Sequence, residues 1–215
     1  MPAPAPHQPM PLRWFTPGGE VRLCGHATLA TAHVLFTEIG LRTPRIAFST
    51  LSGTLSVTRL EQPNTYQMNF PVDKPAATPV PDALPAAIGL PWQAVYKGSD
   101  DFLVILAHEE ELRSLNPRMD LLQAVDARGV IVSAPGTKDD FVSRCFYPRY
   151  GIPEDPVTGS AHTLLTPYWA AQLGKDVLTA RQLSAREGIL QCTLAQDRVL
   201  LQGQAVTYLR GMIFL

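Results

Sequence analysis

An internal repeat restricts the fold of this chain more than any other feature. Arg13-Trp-Phe-Thr-Pro17 reappears as Arg144-Cys-Phe-Tyr-Pro148, and Gly25-His-Ala-Thr-Leu29 as Gly159-Ser-Ala-His-Thr163. Each copy reads in the same order: a short strand, a loop, a glycine, a helix, then a run of short strands. That order predicts two similar α/β lobes. A chain of 215 residues is long enough for one large domain or two small ones.

The apolar periodicity places a helix over 26–39, stopped by Gly40, and a second over 160–173, stopped by Gly174. Pro167 inside the second is expected to kink it or to mark a junction. Alternating segments at 45–49, 54–60 and 65–70 read as an antiparallel meander. Further strands are expected at 12–16, 94–96, 101–106, 129–134 and 141–147, and a closing ladder at 181–185, 189–194, 198–201 and 206–215. Short helices fit 82–88, 109–113 and 119–125. Pro2, Pro4, Pro6, Pro9 and Pro11 exclude a helix or central strand over 1–11, which is expected to be a disordered tail. Prolines 71, 75, 79, 81, 85 and 91 suggest a linker. The expected organisation is a first lobe over 12–80 and a second over 81–215, whose last strand is free to return to the first.

The lobes are unequal. Residues 92–143 precede Arg144 in the second copy, but only 1–12 precede Arg13 in the first. The first lobe is therefore expected to lack its opening strands and helix.

A net charge of −1 argues against a nucleic-acid face. No apolar run reaches membrane-spanning length, and no signal peptide opens the chain. Cys24, Cys145 and Cys192 form no Cys-x-x-Cys pair, which supports neither a zinc site nor a disulfide framework. A cytoplasmic protein is expected.

A helix beginning at Gly-His or Gly-Ser aims free backbone N–H groups, and the positive end of its dipole, at whatever lies in front of it. Two such starts facing each other would clamp a small anion. Glu20, Cys24 and His26 lie beside one start, and Glu154, Asp155 and His162 beside the other, so proton transfer is within reach. Plainer roles are open for each. Ser160 reads equally as an N-cap, Asp155 as a turn organiser, and His26 as a cap or packed ring. Cys24 reads first as a small buried residue, Glu20 as a solvated carboxylate and His162 as a packing residue. Cys145 and Cys192 read as core.

Phe15-Thr-Pro, Glu20-Val, Leu23-Cys-Gly-His-Ala-Thr28, Glu154-Asp-Pro-Val-Thr-Gly-Ser-Ala-His162 and Gly203-Gln-Ala-Val-Thr207 together resemble the motifs of the phenazine-biosynthesis PhzF-like family. The resemblance implies the diaminopimelate-epimerase-like fold: two pseudo-symmetric lobes, each a curved, mostly antiparallel sheet around a central helix, with the active site between them. It implies a cofactor-independent, metal-free isomerase, usually a homodimer, that moves a proton on a small carboxylate such as a dihydro-hydroxyanthranilate. By motif, Asp155 and His26 are the expected catalytic residues. Ser160, Gly159, Gly25, Cys24 and Ala27 are the expected substrate contacts.

Two departures qualify that picture. The family's general acid/base is a glutamate in a Ser-Glu-Thr-like motif ahead of the first copy, and this sequence contains none. The resemblance thus leads to a truncated or degenerate form with little or no activity. The rival is a non-catalytic carboxylate-binding protein. Arg186-Glu-Gly188 also stands where relatives carry Arg-Gly-Gly. Epimerases of the same fold use two facing cysteines. Here the second motif offers none, which leaves a cysteine-based racemase as the least favoured reading.

Overall fold

The structure, a computed structural model, describes residues 8–16 and 19–212. The first half contains β1 (Met10–Pro11), β2 (Trp14–Thr16), β3 (Gly19–Val21), α1 (Gly25–Thr37), β4 (Arg45–Thr50), β5 (Gly53–Arg59) and β6 (Thr65–Pro71). After it come β7 (Ala76–Ala77), α2 (Ala83–Ile88), β8 (Ala94–Lys97), β9 (Asp101–Ile105), α3 (Glu109–Ser114), α4 (Met119–Ala124), β10 (Gly129–Pro135) and β11 (Phe141–Phe146). The chain then runs through α5 (Gly159–Leu173), β12 (Val177–Gln182), β13 (Gly188–Ala195) and β14 (Arg198–Gln204).

Twelve strands form one sheet in the order β1-β4-β5-β6-β14-β13-β12-β11-β10-β9-β8-β7, and β2–β3 is a separate hairpin. The fold is mixed α/β, with one long helix in each half. The halves join where β14 pairs antiparallel with β6, from Arg198 opposite Pro71 to Gln204 opposite Thr65. Alternation in β6 turns Tyr66, Met68 and Phe70 into the main core. There Tyr66 stacks on Phe36 of α1 at 5.7 Å, and Trp169 of α5 stacks on Phe141 at 5.8 Å. β9, β10 and β11 are buried on both faces because α2, α3 and α4 cover their outer side, with Leu84, Leu112 and Leu122 against Val104, Val130 and Val132. This explains why those strands read as continuous apolar runs.

The structure revises several expectations. Met10 and Pro11 pair in parallel with Phe48 and Ser49 of β4, so the proline-rich tail is not wholly unstructured. Residues 1–7 lie outside the described residues. β12 occupies 177–182 rather than 181–185, because the chain turns sharply at Gly174 (φ 64°) and puts Leu178, Ala180 and Gln182 inward. The last described strand ends at Gln204. Residues 206–212 form no strand, and 213–215 lie outside the described residues. Glu187 adopts φ 52° at the turn into β13, a left-handed conformation that favours glycine.

Pro167 does not end α5. It withholds an N–H from the carbonyl of Thr163, one turn earlier, and that carbonyl instead accepts the backbone N–H of Asp73 at 3.1 Å. The proline thus ties the segment after β6 to the middle of α5, in keeping with the junction expected there.

α5 lies deep enough that His162 is fully buried. Its Nδ1 donates to the carbonyl of Thr158 at 2.8 Å, and burial lowers its pKa to about 4 from the ordinary 6.5. The unfolded chain takes up this proton below about 6.5, whereas the native state resists it until about 4. The contribution of neutral His162 to stability is therefore complete above about pH 6.5 and falls as the pH drops towards 4, by ~3 kcal/mol over that window. Urea unfolding of the wild type and of His162→Asn across pH 4–7 should show this decline in the wild type and a shallower one in the variant.

Candidate active site

The helices α1 and α5 begin against each other. A Cβ on Gly25 would lie 2.7 Å from the Cα of Gly159, and one on Gly159 would lie 2.8 Å from the Cα of Gly25. No side chain fits at either position, so the two helix starts meet backbone to backbone. The first intrahelical bond of α1 runs from Thr28 N–H to the Cys24 carbonyl at 3.1 Å, which leaves the amides of Gly25, His26 and Ala27 without an acceptor in the helix. The amides of Gly159, Ser160 and Ala161 stand in the same position in α5. The N-caps Cys24 and Thr158 supply no side-chain cap, and neither first turn carries an acidic residue. Two uncompensated positive dipole ends therefore converge.

A cavity of about 440 Å³ opens in front of this junction. Leu12, Trp14, Val21 and Leu23 form an apolar wall, and Gly25, His26, Ala27, Gly159 and Ser160 line the helix-start side. Cys24, Arg128, Tyr147, Asp155 and Thr158 also face it. Among the described lining residues, Asp155 is the single carboxylate.

Asp155 is held from several directions. Its N–H donates to the Cys145 carbonyl at 2.9 Å, and the Thr158 hydroxyl donates to its carboxylate. Gln182, buried in β12, donates through Nε2 to the Asp155 carbonyl and accepts the Thr158 N–H through Oε1, both at 2.7 Å. The hydroxyl that would ordinarily cap α5 is thus spent on Asp155, which is why the helix start stays open.

The sequence-predicted residues separate clearly. Asp155, His26, Ser160, Gly159, Gly25, Cys24 and Ala27 all line the cavity. Ser160 is not the N-cap, because Thr158 takes that position and Ser160 sits inside the first turn. His26 likewise follows the cap, Cys24. The His26 pKa is raised, chiefly by its hydrogen bond to Cys24 (Sγ to Nε2, 3.6 Å). Burial opposes the shift, and the nearby Asp155 charge adds to it. Glu154 makes a two-point ion pair with Arg144 at 2.7 and 2.9 Å and anchors the loop instead of lining the cavity. Glu20 is tied to Arg13, and His162 is core. Cys145 and Cys192 are fully buried in strands, and burial pushes the Cys192 thiol up to about 12. Of the three cysteines, Cys24 alone lines the cavity.

Sequence reading overlooked Arg128, Tyr147, Thr158 and Gln182. The one available signal was a charged residue placed directly before the apolar run of β10, where a guanidinium has to find a buried partner.

Comparison with known proteins places this geometry. The family model described as phenazine biosynthesis-like protein, PhzC-PhzF, matches residues 2–211. The chain belongs to the PhzC/PhzF family. A Pseudomonas aeruginosa member, named only as an uncharacterized isomerase, is 46% identical over 204 residues, covering 95% of this chain and 78% of its own length. The crystal structure of a PhzF-family protein from Enterococcus faecalis superposes with a TM-score of 0.87 at 42% identity, covering 95% of this chain and 78% of that one. A predicted epimerase from Pseudomonas aeruginosa shares the fold at a TM-score of 0.68 and 21% identity, covering 90% of this chain and 75% of that one. The PhzF-type fold and an isomerase of general kind are thereby supported. Among the described residues, no helix is long and apolar enough to cross a membrane.

The backbone contact makes a direct prediction. Gly159→Ala forces a methyl group against Gly25 and should destabilise the protein by about 1–3 kcal/mol, the usual cost of overpacking. Gly211→Ala, where the new methyl meets only Leu209 at 3.8 Å, should leave the melting temperature unchanged in the same thermal scan.

Proposed function

We propose that this chain binds a small carboxylate-bearing molecule at the junction of α1 and α5 and acts on it as a proton-moving isomerase. The observation that carries this reading is the pair of abutting, uncapped helix starts with Asp155 held beside them. The free amides of Gly25, His26, Ala27, Gly159 and Ser160 receive the carboxylate, with the Ser160 hydroxyl and the space beside Cys24 completing the pocket. Asp155 removes a proton from a carbon close to the carboxylate. The same residue, or His26, returns it at another position, so no electrons are gained or lost and no cofactor is invoked. The developing negative charge is spread toward the two dipole ends. Relatives named as isomerases support the general kind of reaction.

A second reading rests on the same site. With one carboxylate among the described lining residues, the chain binds its ligand but turns it over weakly or not at all. The proposal extends to a homodimer, supported by exposed apolar side chains such as Tyr208 (97%) and Met212 (77%). It also extends to a cytoplasmic location, supported by three free thiols.

The test is a panel of cyclic and amino-acid carboxylates in deuterated water, followed by proton NMR. The enzyme reading expects solvent deuterium to enter one carbon position of a bound carboxylate. Asp155→Asn should slow that exchange by about 10²-fold or more while binding persists. Saturable binding without exchange in the wild type would favour the binding reading. Absence of binding across the panel would contradict both.

A further inference from the structure

Arg128 stands immediately before β10, with its backbone N–H bound to the Asp100 carbonyl at 2.8 Å. Its guanidinium makes a two-point pair with Asp101, through Nε at 2.9 Å and through Nη2. Asp101 is only 3% exposed. The guanidinium also lies over the ring of Tyr147, 5.3 Å from its centroid, and Nη2 donates to the Ser160 Oγ at 3.2 Å. Such a group is immobilised on three sides, and it can only donate.

A serine hydroxyl has one hydrogen to give and two lone pairs. With Arg128 occupying a lone pair, the Ser160 hydrogen must point elsewhere. Its usual outlet in a helix is the carbonyl one turn back. Here residue 156 lies ahead of the helix, and its carbonyl accepts the Ser184 hydroxyl at 2.8 Å and no bond from Ser160. Among the described residues the Ser160 hydroxyl donates to no protein acceptor, and Ser160 lines the cavity. The arrangement leaves a donor in want of an acceptor at the point where two helix dipoles converge.

We propose that Arg128, held by Asp101 and Tyr147, is a positioning residue that fixes the Ser160 hydroxyl as a donor into the cavity and thereby makes the α1–α5 junction prefer a carboxylate to a neutral carboxamide. This rests on the reading that the carboxylate binds at Ser160, and it adds the source of anion selectivity. Asp101 balances the arginine's charge, so selectivity arises from the forced direction of a hydrogen bond and not from an excess cation. Removing Arg128 frees Ser160 to turn and accept. A carboxamide, which has N–H groups to offer, would then be tolerated as well as a carboxylate.

The test uses the full chain and two nearly isosteric probes, benzoate and benzamide, titrated by calorimetry or NMR. Arg128→Gln combined with Asp101→Asn removes the guanidinium without leaving a buried carboxylate unpaired. The wild type should prefer benzoate. Ser160→Ala should weaken benzoate by about tenfold, the scale of one hydrogen bond to a charged group. The R128Q/D101N pair should weaken benzoate by a similar factor and leave benzamide unchanged or tighter. Adding R128Q/D101N to Ser160→Ala should cost nothing further.

An R128Q/D101N protein that keeps the wild-type benzoate-to-benzamide ratio overturns the proposal. A loss that persists in full on the Ser160→Ala background overturns it too, since Arg128 would then act without Ser160. If Ser160→Ala alone leaves benzoate binding intact, the carboxylate does not sit at Ser160. That result, read before any arginine variant, removes the underlying assignment as well. Should R128Q/D101N fail to fold, Arg128→Lys serves instead, because it keeps a cation beside Asp101 but not the fork geometry. Its benzoate loss should vanish on the Ser160→Ala background, and persistence there would overturn the proposal.

Discussion

The contact between Gly25 and Gly159 is the constraint on which the rest of the site depends. Two helices can begin this close only if neither first residue carries a Cβ. Once they do, both sets of free amides face one volume, and an anion placed there is served by two dipoles. The cost is two helix starts without side-chain caps. The protein tolerates this cost because the capping hydroxyl of Thr158 is committed to Asp155, and Gln182 fixes the loop between them. The same atoms that deny α5 its cap hold the Asp155 carboxylate in place.

Such a junction needs a rigid frame. The continuous sheet supplies it, because β14 pairs along its whole length with β6 and so joins the strands packed on α1 to those packed on α5. Stacked pairs, Phe36 on Tyr66 and Trp169 on Phe141, fix each helix against its own sheet segment. The carbonyl freed by Pro167 fastens the crossover at Asp73 to α5. A shift of either helix along its axis would therefore break several buried contacts at once, and the two amide clusters stay in register.

The features legible in the sequence were those encoded locally. The repeated glycine at each helix start, the helix stops at Gly40 and Gly174 and the alternation of β4 to β6 were all read from neighbouring residues. The cavity residues came the same way, because both motifs sit at helix starts and the repeat paired them. What escaped was encoded between distant residues. Arg128 meets Asp101 and Ser160 across separations of 27 and 32 residues, and no local pattern announces that meeting. Thr158 carries no local signal of its bond to Asp155, which depends on how the loop folds back. β12 was placed too late because Val177–Leu178 follows closely on a helix stop, and only the pairing with β13 from Val177 opposite Thr193 fixes its start.

The central claim is that one carboxylate is held by both helix starts together, and backbone amide NMR during a benzoate titration tests it most directly. The amide resonances of Gly25, His26, Gly159 and Ser160 should move together and give a single affinity. Movement confined to one helix, or concentrated away from the junction, would contradict it.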